Sequence, residues 1–159
     1  GILGDEIIGP FFIEGNLDSA KYVIMLHNQI VPAMRASAAR QNIPWDDVVF
    51  QQDGAPAHYA RLVRDYLDIV FPNRWIGRLG PIAWPPRSPD LTPLDFFLWG
   101  FLKDRVFRTL PATVQEMEDR IMEHCLIPDA DMFDRVRGSF AKRILMCLHE
   151  DGKQFEHLL

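Results

Sequence analysis

The sequence predicts an α/β or α+β domain with a sheet of modest size and a mostly helical C-terminal part. Three observations predict it. A Gly- and Pro-punctuated apolar opening reads as a β-hairpin. The β-branched and aromatic run Val48-Val49-Phe50-Gln51-Gln52 reads as a buried strand leading into a helix. The last third repeats apolar residues at helical spacing. The 159 residues, 48% of them apolar, suffice for one domain with its own core and not for two.

Each element has a local reason. In the hairpin, Gly4-Asp5 supplies the turn, with strands expected near Ile2–Leu3, Ile7–Ile8 and Phe11–Ile13. Asn16 or Asp18 can cap the next helix, whose apolar residues fall at Val23, Leu26, Ile30 and Met34. Pro32 is expected to kink it, because proline removes a backbone donor. After the strand at 48–52, a helix is expected from about Ala57 to Val70, with Leu62, Tyr66 and Ile69, plus Val63 and Val70, on its apolar side. The Pro/Gly-rich stretch from Pro72 to Pro93 leaves room for two short strands, near Trp75-Ile76 and Ile82-Ala83. Pro93 suits the first turn of an apolar helix reaching about Phe107, with Trp84, Phe96, Phe97 and Trp99 expected in the core. Thr113 with Glu116 forms a capping box for a helix carrying Val114, Met117 and Ile121. The last helix, about Ala130 to Leu148, repeats Phe133, Val136, Phe140, Ile144 and Leu148 on one side.

Composition excludes several classes. No apolar run approaches the roughly 18 residues that a membrane span needs. Two cysteines, Cys125 and Cys147, cannot build a disulfide framework and fit a reducing compartment. No charged-then-apolar signal segment opens the chain, and its start at Gly1 rather than Met leads us to expect a fragment. The formal charge of −5 argues against a strongly basic nucleic-acid cradle, yet it hides a gradient. Residues 1–53 carry a net −4, residues 54–110 a net +3 and residues 111–159 a net −4. A basic middle between acidic flanks can place positive charge where a polyanion docks.

Two carboxylates stand in chemically suggestive settings. Asp53 directly follows the predicted strand and precedes Gly54-Ala55-Pro56, so it belongs at a strand tip, where α/β sheets present catalytic and ligand-binding groups. An Asx-type turn would explain it equally well, since Asp-Gly is a common turn pair. Asp95 falls in the first turn of the apolar helix after Pro93, where the helix dipole alone could account for it. As a pair they have a further use. A strand-end Asp and a helix-start Asp can converge across a sheet and hold hard divalent cations, and two such ions clamp the attacking and leaving oxygens of a phosphodiester.

The segments Gln51-Gln52-Asp53-Gly54-Ala55-Pro56-Ala57-His58 and Trp84-Pro85-Pro86-Arg87-Ser88-Pro89-Asp90-Leu91-Thr92-Pro93-Leu94-Asp95 closely resemble those of mariner-like transposases, members of the cut-and-paste superfamily that uses three acidic residues. Gly1–Pro10 and Phe155–Leu159 are similar to that family too, so the resemblance spans essentially the whole chain. It implies a ribonuclease-H-like domain, a mixed sheet flanked by helices, of which residues 1–159 form the C-terminal, larger part as a single partial catalytic domain. Residue by residue, Asp53 matches the second catalytic carboxylate and Asp95 the third, each a ligand for Mg²⁺ or Mn²⁺ in a two-metal site. The 41 residues between them exceed the interval usual for the mariner group and mark a divergent branch. Asp90 lies in the loop before the helix and is read as a loop or capping residue. His58 matches the motif histidine and either orients the loop or touches substrate, or else packs at a helix start. Arg61, Arg64 and Arg87 are candidate DNA-phosphate contacts, or solvated surface arginines.

The resemblance implies metal-dependent phosphodiester cleavage and strand transfer by the intact protein, acting as a homodimer on transposon ends and target DNA in the nucleus. The family's first catalytic Asp lies upstream of the segment matching Gly1–Gly9. Asp5, Asp18, Asp46 and Asp47 each have a local explanation, so none replaces it. This chain alone is therefore expected to show little or no catalysis. The alternative is a non-enzymatic, transposase-derived remnant that binds DNA or protein.

Overall fold

The computed structural model describes residues 1–84 and 88–159. The chain divides into two compact units, one made of Gly1–Pro10 with Ser88–Leu159 and the other of Phe11–Arg87.

In the second unit, Asp18 caps α1 (Ser19–Met25), its carboxylate accepting from the Lys21 N–H at 2.8 Å. The helix does not break before Pro32. It widens into a π-helical segment, Leu26–Ile30, and continues as α2 (Val31–Arg40). In an α-helix the ring of Pro32 would strike the carbonyl four residues back, and the wider turn relieves that clash. A parallel three-stranded sheet follows, in the order β3 (Phe50–Gln51), β4 (Trp75–Gly77), β5 (Ile82–Ala83). Phe50 pairs with Trp75 and Gln51 with Ile76. Arg74 secures the approach to β3 by donating to the carbonyls of Trp45 and Val48 at 3.0 and 2.6 Å.

The helix after β3, α3 (Arg61–Val70), starts later than its sequence predicts. Ala57–Tyr59 form turns, because the His58 N–H closes onto the Ala55 carbonyl and Ala60 is extended, at ψ 149°. His58 therefore sits in the turn and not at a helix start. The buried face of α3 is Val63 and Leu67, both 0% exposed, whereas Leu62 and Ile69 point to solvent. With Tyr22, Met25, Leu26, Phe71 and Trp75 these two side chains make the core of this unit. The Trp75 indole N–H is held by Asp68 Oδ1 at 2.8 Å.

The first unit opens with the hairpin β1 (Ile2–Leu3) and β2 (Glu6–Ile7), antiparallel, with Ile2 opposite Ile7. Gly4 takes the left-handed conformation that the turn needs (φ +56°). Phe11–Ile13, expected as a strand, lies outside regular structure, since Gly9 turns the chain at φ +103° and Pro10 has no N–H for a ladder. After a 3₁₀ turn (Pro89–Leu91), a π-helical segment (Leu94–Leu98) runs into α4 (Trp99–Val106). Its extra residue per turn shifts the helical phase. Leu98, Leu102 and Val106 are buried, while Trp99, expected in the core, is 48% exposed. Thr113 caps α5 (Val114–His124) by accepting from the Glu116 N–H at 3.0 Å, and the Glu116 carboxylate reaches back to the Ala112 N–H. That bond and Arg120 hold the Glu116 carboxyl below its ordinary range. In α6 (Ala130–His149) the predicted stripe is buried at Phe133 and Val136 but exposed at Ile144 and Leu148. Arg143, not Ile144, continues the inward face.

Candidate active site

Asp53 stands two residues beyond β3, at the C-terminal end of the parallel sheet. Its side chain is 70% exposed, but its orientation is fixed from two directions. Oδ1 accepts from the Ala55 N–H at 3.0 Å, closing the Asx turn, and lies 2.5 Å from Nδ1 of His58. A carboxylate only accepts, so the Nδ1 proton is donated to it. Oδ2 has no hydrogen-bond partner among the described residues.

A buried polar relay holds His58. Its ring lies 4.3 Å from that of Tyr22, inclined by 30°. The Tyr22 hydroxyl donates to Gln52 Oε1 at 3.1 Å, and Gln52 Nε2 donates to the His58 carbonyl at 2.9 Å. Burial pushes the Tyr22 phenol well above its ordinary value, and the negative charge of Asp53 adds to the shift. Gly77 of β4 makes room for the relay, since a Cβ there would lie 3.2 Å from Gln52 Cγ.

Asp95 lies in the first turn of the π-helical segment and is exposed. The start of this segment is well anchored. The Asp95 N–H donates to the Thr92 carbonyl at 2.9 Å, and the Thr92 hydroxyl donates to the Ser88 carbonyl at 3.2 Å. From α6, Arg143 donates to the Asp90 carbonyl at 3.1 Å and lays its guanidinium over the Phe96 ring at 4.4 Å. Asp90 thus serves the loop through its backbone.

The structure gathers Asp53 and His58 into one cluster within one unit, while Asp95 belongs to the other unit. Arg61 is exposed and lies 3.6 Å from Asp65, and Arg64 Nε donates to the Tyr59 carbonyl at 3.1 Å. Arg87 lies outside the described residues. Among the described residues, no three His, Cys, Asp or Glu side chains are grouped to hold a metal ion. No helix among them is long and apolar enough to cross a membrane.

No family model matches the chain. Over 107 residues, 67% of its length, it is 34% identical to the transposable element Tcb1 transposase of Caenorhabditis briggsae. The chain spans about a third of that protein's length, 34%. The Mos1 transposase catalytic domain, solved with Raltegravir and Mn, superposes at a TM-score of 0.74 with 25% identity, covering 89% of this chain and 67% of the other. The Mos1 mariner paired-end complex with Mn gives a TM-score of 0.69 at 25% identity, covering 89% of this chain and 38% of that one. The chain is homologous to Tcb1 transposase and matches the Mos1 mariner transposase catalytic domain in structure. Its fold is accordingly the ribonuclease-H-like one that the two motifs implied. Sequence reading singled out Asp53, His58 and Asp95 but passed over Tyr22, Gln52 and Arg143, which hold them or the loops that carry them. A glutamine ending an apolar strand, in Val48-Val49-Phe50-Gln51-Gln52, was the available signal for the buried relay.

Proposed function

We propose that this chain is part of the catalytic domain of a DNA transposase, in which Asp53 and Asp95 supply two of the carboxylates that act on DNA phosphodiesters. The observation carrying the proposal is Asp53 itself. It is a strand-end carboxylate with one oxygen fixed by Ala55 and His58 and the other turned outward, at the motif position that the mariner-like resemblance gives to the second catalytic acid.

The donor chemistry fits a hard divalent cation such as Mg²⁺ or Mn²⁺, because exposed carboxylate oxygens are what such ions take. When bound, two such ions would activate the attacking oxygen and neutralise the leaving one. The chain's own contribution is orientation. Gln52 and Tyr22 hold His58, His58 holds Oδ1, and Oδ2 stays available to a ligand. In the other unit Arg143 holds the loop that introduces Asp95. The proposed partner is DNA, with a homodimer as the working form of the whole protein and the nucleus as its setting.

Titration of the chain with Mn²⁺, followed by water-proton relaxation, tests the assignment. Weak binding should be reduced by Asp53→Asn and by Asp95→Asn while far-UV circular dichroism is unchanged. Binding indifferent to both substitutions would overturn it. With two of the three family carboxylates assigned in these 159 residues, little Mg²⁺-dependent nicking of supercoiled DNA is expected from the chain alone. Robust nicking abolished by Asp53→Ala would show the expectation of inactivity to be wrong.

A further inference from the structure

We propose that Arg78 is a phosphate-binding residue of this site, holding a DNA backbone phosphate beside Asp53. The inference rests on the transposase reading above and adds to it a residue that neither motif contains.

Strand register aligns Arg78 with Asp53 across the sheet. Phe50 pairs with Trp75 and Gln51 with Ile76 in parallel, so two residues further on Asp53 and Arg78 leave the same end of adjacent strands. The Arg78 stem runs against the catalytic loop, where a Cβ on Gly54 would lie 3.7 Å from Arg78 Cδ. Its guanidinium sits 4.2 Å over the ring of Tyr59, at the far end of the same loop.

The side chain is also presented and not tied down. Arg78 is exposed, and among the described residues its guanidinium has neither a carboxylate nor a hydrogen-bond partner. Arg61 and Arg64 differ in this respect, the first lying by Asp65 and the second bound to the Tyr59 carbonyl. An aromatic face orients a guanidinium without using any of its N–H donors, which leaves the planar fork free for an anion.

The turn that carries Arg78 is itself unusual. Gly77-Arg78-Leu79-Gly80 closes with a Gly80 N–H to Gly77 carbonyl bond of 3.2 Å and places Leu79 in the left-handed region at φ +61°. A branched hydrophobe avoids that conformation unless its surroundings impose it. Trp75 packs against the end of this turn. Its ring covers Gly80 so closely that a Cβ would come within 2.6 Å, and Asp68 anchors the indole. A strained, solvent-facing turn thus carries a cation at the same strand end as the Asp53 carboxylate. A cation there would offset the repulsion that the Asp53 carboxylate by itself exerts on a phosphodiester.

The test is equilibrium binding of the chain to a short fluorescent DNA duplex of arbitrary sequence, by anisotropy, over a salt series without divalent ions. Arg78→Gln should weaken binding by about tenfold and lower the slope of log K against log salt by about 0.9, the share of one phosphate. Arg78→Lys should restore the slope and part of the affinity. A merely structural arginine leaves the slope in place, so an unchanged slope in Arg78→Gln overturns the proposal. So does an equal loss in the Gln and Lys variants that tracks a lower melting midpoint. If the Gln variant melts early, Arg78→Met keeps an unbranched stem against the loop at Gly54 and carries the same comparison. Absence of any binding by the unmodified chain at low salt would overturn the DNA reading itself, and Arg78 with it. Binding that ignores Arg78 overturns only the present assignment.

Discussion

At Gln52 a primary amide only 6% exposed accepts from the Tyr22 hydroxyl through its oxygen and donates an N–H to the His58 carbonyl. Replacing it by Leu strands both partners, and an unsatisfied buried polar group costs about 1–3 kcal/mol. Urea unfolding of Gln52→Leu should show a loss of that size, with Mn²⁺ binding lowered beyond it because His58 is no longer held. Tyr22 yields a pH prediction. Its phenol is raised in the folded state by burial and then by Asp53, so above about pH 10 the unfolded chain has lost a proton that the folded chain keeps. Stability from this group is complete below that pH and falls as pH rises past it. Denaturant midpoints measured through the alkaline range should fall less steeply in Tyr22→Phe, and an identical fall in both proteins would refute the assignment. Asp53 and His58 were legible because the motif that contains them is contiguous. Tyr22 reaches them from 30 residues away from Gln52, across the fold, which no local pattern encodes.

Among the elements, the β4–β5 connection is sensitive to a single methyl group. Gly80→Ala would place Cβ 2.6 Å from the Trp75 ring, and overpacking of this kind costs about 1–3 kcal/mol, readable as a lowered melting midpoint. The Thr113 cap is a milder case, with about 1 kcal/mol expected from Thr113→Ala. α6 separates two readings of one apolar stripe. Phe133→Ala should cost about 3–5 kcal/mol, whereas Leu148→Lys should stay within about 0.5 kcal/mol, because Phe133 is 2% and Leu148 69% exposed. Periodicity found this helix almost to the residue. It could not tell which apolar side chains are covered, since a stripe of period 3.6 says nothing about how far along the helix its partner extends. Phase failed at α3 and α4 for different reasons. In α3 both faces carry apolar residues and only packing chooses between them. In α4 the preceding π turn rotates everything after it, so Trp99 turns outward where an unbroken α pattern had placed it in the core.

Over the whole molecule, the −5 charge first argued against nucleic acid, yet the +3 segment between residues 54 and 110 carries both Asp95 and Arg78. The family's motifs were readable in the linear sequence, and so was the order of strand and helix. The division into two compact units was not, because it pairs the first ten residues with the last seventy or so. The π turn at Leu94–Leu98 has a consequence for how such a chain can change over time. A π turn holds one residue more than the α turn it replaces, so it is the footprint that a one-residue insertion leaves in a helix. Deleting one residue there would let α4 keep Leu98, Leu102 and Val106 inward while Asp95 swung to a new bearing. Such a deletion should spare the packing of Leu98, Leu102 and Val106 while removing the share of Mn²⁺ binding proposed above for Asp95, read in the same titration. The aim of this carboxylate can thus drift by insertion and deletion while the core beneath it is inherited intact.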